Sequence, residues 1–505
     1  MAEDSSGASG TSAAGATGAA GGTGAAGRPG VRSGTAGASD EGSAGRSRRR
    51  LGLWMATALV VGNMVGSGVF LLPSSLAPYG GISIVGWLFT ATGAMLLALV
   101  FARLGRSQPR AGGPYAYTRA AFGDFAGFVV GWGYWISIWV GNAAIAVAFA
   151  GYLGFFWPAI SHSGTLAGGV ALAAVWALTA VNATGVQQGG RVQVATTALK
   201  LLPLVGVAAF GLALFHPANF QPFNRAGGSA LGAVSATAAL TLWAFSGLES
   251  ATVPAGDVRD PNRTIPRATI LGTAFAAALY IASTAAVMGI VRPASLETST
   301  APFADAARSL WGAWAGAAVA AGAAISAFGA LNGWILLQGQ VPMAAATDGL
   351  FPATFGRRAR TGAPALGLAI SSALITLLVG ANYTRGLVDL FTFVILLSTL
   401  STLIPYLFCA LAALKAATIS GRAVQLAGSA GAGNRDPVHV PGRSPGFAVV
   451  AVLAAAYSAW AIVGCGVEAI VWGLVLLARG LPIYVGLRRA NAARAAEGAT
   501  PVSGP

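Results

Sequence analysis

Residues 62–70 read GNMVGSGVF and sit in the middle of an apolar run that extends from residue 52 to 78. A run of that length is expected to cross a membrane as a helix. Yet three glycines and a serine occupy its centre, and each interior glycine costs a helix about 1 kcal/mol relative to alanine. Two physical readings account for this. Gly62, Gly66 and Gly68 can form a small-residue face for close helix packing. Alternatively, the helix unwinds at 66–68, and the freed backbone N–H groups and the start of the second half-helix face a cavity. Such a site binds a carboxylate without any cationic side chain.

A second interrupted run bears on the choice. "TLWAFSGLESATVPAG" (241–256) again places a glycine, Gly247, among small polar residues, and beside it stands Glu249, the only acid near the centre of any apolar run. Paired interruptions at corresponding positions of two repeats point to a transporter site near the bilayer midplane.

The rest of the chain fits a polytopic helical membrane protein. Of 505 residues, 55% are hydrophobic and 9% charged, against about 25% charged in soluble domains. Twelve spans are expected, at 52–78, 82–103, 122–150, 164–183, 193–214, 229–254, 267–291, 312–342, 364–380, 387–414, 446–464 and 467–487. With a cytoplasmic N-terminus, the cytoplasmic segments hold 24 Lys and Arg and the outer segments only Arg225, Arg292, Arg308 and Arg385. That asymmetry supports cytoplasmic termini and an even span count in the cell membrane. Residues 1–50 contain no Leu, Ile, Phe, Tyr or Trp and are expected to be a disordered cytoplasmic tail without a signal peptide. The transporter domain is expected over 51–490, and 491–505 forms a second cytoplasmic tail.

The formal charge of +15 does not indicate nucleic-acid binding, because the basic residues lie between apolar runs. Cys409 and Cys465 show no metal-ligand spacing. His162, His216 and His439 fall in loops, and no nucleophile, zinc or phosphate-loop motif is present, so an enzyme is not expected. No cofactor is expected either. The partners are a small-molecule substrate and the lipid bilayer.

Together, "GNMVGSGVFLLP" (62–73), "GGPYAY" (112–117), "YWISIWVGN" (134–142), "TLWAFSGLES" (241–250), "GWILLQGQ" (333–340) and "ATDGLFP" (346–352) resemble the amino acid–polyamine–organocation transporters, and within them the bacterial arginine/agmatine antiporters. The resemblance covers residues 52–420 and, more weakly, the chain to 490. It implies spans 1–5 (51–214) and 6–10 (229–414) as inverted repeats with broken helices 1 and 6, spans 11–12 over 446–487, alternating access and a homodimer. It implies that the segment Asn63, Met64, Gly66, Ser67 and Gly68 holds substrate, with amides around Ser67 and Gly68 on the carboxylate. Carbonyls near Met64, Trp243 and Ser246 would accept the α-ammonium. Trp243 would cover the aliphatic stem and Trp334 the cationic end, which Asn142 and Ser398 would hydrogen-bond. Tyr134 and Glu249 match gate residues, Tyr406 a neighbouring gate aromatic, and Tyr115 a tyrosine linked to pH sensitivity.

Physical chemistry supports these roles without deciding them. Indole faces hold a desolvated cation at about 2 kcal/mol or more. A neutral amide adds direction at little desolvation cost. Against this, tryptophans also form interfacial belts, and Asn142 can serve as helix–helix glue. Lys200, Ser246, Ala244 and Ile138 depart from the arginine/agmatine pattern. In other members of the superfamily a span-5 lysine stands where sodium-coupled relatives bind sodium, and it is linked to proton coupling. A desolvated lysine can load and release a proton; one near an interface can snorkel. The expected function is antiport of basic amino acids, with proton-coupled or exchange transport of neutral amino acids as the alternative.

Overall fold

Proline opens many of the helices of this chain. The computed structural model describes residues 52–66, 68–107, 113–184, 190–211, 214–249, 252, 258–418 and 444–498, excepting the side chains of 107, 190–200 and 493–498. The helices are α1 (Leu53–Met64), α2 (Gly68–Leu76), α3 (Ile82–Ser107), α4 (Pro114–Phe122), α5 (Asp124–Gly154) and α6 (Pro158–His162). Next come α7 (Gly164–Ala183), α8 (Gly190–Gly211), α9 (Ala230–Leu242), α10 (Pro261–Ile290), α11 (Pro293–Leu296) and α12 (Pro302–Trp311). The last are α13 (Ala313–Thr347), α14 (Ala365–Asn382), α15 (Leu387–Thr418), α16 (Pro445–Gly464), α17 (Gly466–Ala478) and α18 (Gly480–Gly498). The six that begin with proline use a residue whose missing N–H has no partner at that position anyway.

The protein is an all-α polytopic membrane protein. Among the described residues, nine helical stretches are long and apolar enough to cross a bilayer, and the bent pair α1–α2 makes up to ten. Two shorter apolar helices, Leu201–Gly211 and Ala230–Phe245, fall where spans 5 and 6 were expected. The expected twelve therefore exceeds the described helices that are long enough to cross a bilayer. The tail expected over 1–50 lies outside the described residues.

One helix organises the bundle. The most apolar stretch of α5 is 89% buried, against 11% for α17–α18. It packs mainly on α13 and α15. Large apolar side chains such as Leu202, Phe210, Leu377 and Val467 are exposed. On a soluble protein that would be a liability; here it is the face that meets lipid chains.

The two interruptions are present. α1 ends at Met64 and α2 begins at Gly68, with a bend of 41° between the two halves. Gly68, expected within a break at 66–68, already starts the second half-helix. α9 ends at Leu242, continues as a single 3-10 turn through Phe245, and stops there. Gly247 then takes φ +102°, a left-handed conformation that side chains resist. Residues 250, 251 and 253–257, which would continue span 6, lie outside the described residues.

Candidate functional site

Both interruptions face one cavity of about 40 Å³. That is the space open to the centres of water molecules, more than a single water needs, so the cavity has room for several waters or a small solute.

From the first break, Asn63, Met64, Gly66 and Gly68 line this cavity. From the second come Trp243, Ala244, Ser246 and Glu249. α5 contributes Tyr134, Ser137, Ile138, Gly141 and Ile145; α13 contributes Trp334; and α15 contributes Ser398 and Thr402. No Lys, Arg or His lines it among the described residues. Ser67 lies outside the described residues. Lys200 lies on α8, and its side chain is outside them as well.

Close packing explains one glycine. A Cβ on Gly68 would stand 2.5 Å and 2.7 Å from Cζ3 and Cε3 of Trp243. The indole rests directly on the backbone where α2 begins, and only glycine leaves room for it. Phe391 meets the same indole edge-to-face at 5.6 Å between ring centroids. Trp243 is therefore buried rather than interfacial, and half-buried Trp334 shares its cavity.

The backbone carbonyls expected to take an ammonium are partly used. Gly66 N–H donates to Met64 O at 2.8 Å, and Ser246 N–H donates to Trp243 O at 3.0 Å. A carbonyl has two lone pairs, so each keeps one. The N-terminal amides of α2 have no intrahelical acceptor, and the helix dipole makes that end electropositive.

Glu249 is the only ionisable acidic or basic side chain in the buried class among the described residues. Tyr134 Oη donates to its Oε1 at 2.8 Å, and Tyr406 Oη donates to its Oε2 at 2.6 Å. One carboxylate thus ties α5, α15 and the interrupted span 6 together, over sequence separations of 115 and 157 residues. Tyr406 does not line the cavity and acts through Glu249. Ser398 Oγ donates to Ser137 O at 2.9 Å, which leaves its lone pairs for a cationic cargo.

Asn142 is placed differently from the expectation. It is fully buried, does not line the cavity, and donates from Nδ2 to Gln338 Oε1 at 2.7 Å. Helical geometry gives the reason: at 3.6 residues per turn, Asn142 lies about 80° round α5 from Tyr134, whereas the lining residues fall within about 60° of it. The same periodicity, started from Tyr134, would have found Ser137, Gly141 and Ile145, and the i,i+4 step from Ser398 would have found Thr402. Nothing in the sequence singled out Gln338.

Tyr115 is remote from the cavity, on α4. Its Oη donates to Asp348 Oδ2 at 3.0 Å, while Arg119 Nη1 donates to Asp348 O at 3.1 Å and Arg119 Nε pairs with Asp124 at 2.7 Å. Burial first, then the Asp348 carboxylate, push the phenol above its ordinary value. It therefore stays protonated and donating across the physiological range. Tyr115→Phe is expected to slow transport about fivefold, the worth of roughly 1 kcal/mol for a lost hydrogen bond, equally at every pH from about 5 to 8. A pH profile whose midpoint moves would show that this bond takes part in pH sensing.

Similarity to known proteins agrees with this architecture. The amino acid permease family pattern matches residues 51–471. A cadaverine/lysine antiporter of Escherichia coli K12 is 38% identical over 368 residues, 72% of this chain and 82% of that protein. A putative arginine/ornithine antiporter of Bacillus subtilis is 34% identical over 469 residues, 86% and 96% of the two chains. The putrescine transporter PotE of E. coli K12 is 31% identical over 436 residues, 86% and 95%. With its family pattern, its bilayer-length helices and two interrupted spans around one cavity, this chain belongs to the amino acid permease family of the amino acid–polyamine–organocation transporters, carrying amino acids or amines across a membrane rather than transforming them.

Proposed function

We propose that this protein exchanges a basic amino acid for a related basic amino acid or amine across the cell membrane. It does so by alternating access in a twelve-span frame with repeats at 51–214 and 229–414 and both termini cytoplasmic. The observation that carries the reading is the wall of the cavity: two indoles, Trp243 and Trp334, one carboxylate, Glu249, and no basic side chain among the described residues. Indole faces and a carboxylate favour a cation, while the start of α2 suits the carboxylate of an amino acid. The named activities of the relatives, lysine with cadaverine, arginine with ornithine, and putrescine, support the same cargo class. Within it, the matches at Trp243, Trp334 and Ser398 favour arginine and agmatine. Lys200 is assigned to coupling, and a Lys200→Ala protein with an unchanged pH profile would remove it from that role.

Counterflow in proteoliposomes tests the reading. Labelled arginine or lysine should enter vesicles loaded with arginine, agmatine, lysine, ornithine, cadaverine or putrescine, and should not enter empty or alanine-loaded vesicles. Entry of neutral amino acids alone, driven by a proton gradient, would replace it with the neutral-cargo alternative. Trp334→Ala should raise KM for the cationic cargo about 30-fold, since a desolvated cation–π contact is worth about 2 kcal/mol, with little effect on inhibition by neutral amino acids. Equal losses for both kinds of cargo would mean Trp334 does not face the cation.

A further inference from the structure

A chain of buried hydrogen bonds lies behind the cavity wall and crosses four helices. Asn142 Nδ2 on α5 donates to Gln338 Oε1 on α13 at 2.7 Å. Gln338 Nε2 donates to Ser372 Oγ at 2.9 Å and to Leu368 O at 3.4 Å, both on α14. Ser372 Oγ in turn shares a 2.6 Å bond with Thr179 Oγ1 on α7. Asn142, Gln338 and Ser372 are all fully buried.

The chain has a direction. The Leu368 carbonyl can only accept, so the Gln338 amide must turn its NH2 towards α14. That leaves Oε1 facing Asn142, which must then present its own NH2 to Gln338. Asn142 Oδ1 is the atom left over, and it is buried with no hydrogen-bond partner among the described residues. An orphaned acceptor at such a site is unfavourable unless a donor reaches it in another state of the protein. Its neighbours Gly141, Ile138 and Ile145 line the cavity, so Asn142 stands directly beside that wall.

We propose that Gln338 is a positioning residue: it holds the Asn142 amide so that Oδ1, an acceptor, is the end available to the distal cationic group of the cargo. This rests on the basic-cargo reading above. A free Asn142 amide could turn either end to the cargo, and its NH2 end repels a cation. With Gln338 in place only the acceptor end is offered. Gln338 thereby contributes to the selection of cations without touching them.

The experiment measures, by inhibition of counterflow in proteoliposomes, the affinities of arginine, lysine and 2-aminoheptanoic acid, which matches lysine in length but ends in a methyl group. The ratio of cation to neutral affinity is the readout, because damage to folding or membrane insertion lowers the amount of active protein and not the ratio. In Gln338→Leu the ratio should fall about tenfold, the scale of one hydrogen bond to a charged group, through the cation constants. Ser372→Ala, which removes one of the two acceptors holding Gln338, should move it in the same direction by less.

The double variant Asn142→Leu/Gln338→Leu leaves no orphaned amide and guards against a misfolded single variant. Its ratio should equal that of Asn142→Leu alone, since Gln338 acts through Asn142. A further fall in the double variant, or an unchanged ratio in Gln338→Leu, overturns the proposal while leaving the basic-cargo reading standing. A wild-type protein with no preference for arginine or lysine over 2-aminoheptanoic acid overturns both.

Discussion

Glu249→Ala should reduce exchange about a hundredfold or more, with the protein still inserted in the membrane. The carboxylate accepts from Tyr134 at 2.8 Å and from Tyr406 at 2.6 Å, and all three residues are buried. Removing it leaves two buried hydroxyls without acceptors, each costing about 1–3 kcal/mol. The closed arrangement that joins α5, α15 and span 6 therefore loses about 2–6 kcal/mol relative to states in which water reaches these groups. At about 1.4 kcal/mol per factor of ten, a two-state transport cycle is displaced by at least an order of magnitude, and by several at the upper end. Tyr134→Phe and Tyr406→Phe each remove one donor and keep the acid, so each should slow exchange about tenfold, as expected for a hydrogen bond to a charged group. Initial rates of counterflow at matched protein content, with detergent melting curves as the folding control, give the answer. A Glu249→Ala protein exchanging at the wild-type rate would show that this three-way tie plays no part in the cycle.

Gly68→Ala should raise KM for every cargo, charged or neutral, by about tenfold or more. The added methyl would stand 2.5 Å from Cζ3 of Trp243, closer than any real contact, and the indole is itself braced by Phe391. Forced overpacking of this kind costs about 1–3 kcal/mol. The start of α2 and the Trp243 face are displaced together, so the grip on the main chain of an amino acid and the cover over its stem are lost at once. The pattern differs from that of Trp334→Ala, which is selective for cations. In a Trp243→Ala background the glycine substitution should add little, because the clash is gone. Independent, additive losses would mean that the two residues do not meet in the working protein.

Much of this site was legible in the sequence. The glycines at 62–68, the second interruption at 241–249 and the mid-span tryptophans marked two places where backbone polar groups are freed inside a membrane segment. That arrangement is tolerable only where it lines a cavity. The positions of the helices follow from the same physics: an apolar run about 20 residues long has few alternatives in lipid. The expected 164–183 span coincides with α7, and the expected 446–464 span starts one residue after α16. Gly68, expected within the break of the first span, instead begins α2. The propensity of glycine for non-helical backbone does not say on which side of it a helix resumes.

What the sequence determined by itself was local and periodic: a membrane protein of long helices, two interrupted spans, and a set of aromatic and hydroxyl side chains at membrane depth. What only the tertiary structure decided was pairing across the bundle. Glu249 meets two tyrosines more than a hundred residues away in opposite directions. Asn142 turns to Gln338 at a separation of 196 residues instead of lining the cavity. Gly68 is required by an indole on another span. Helical periodicity places a side chain on a face of its own helix, but which face meets which neighbour depends on how the helices cross, and crossing is set by the packing of all the helices at once.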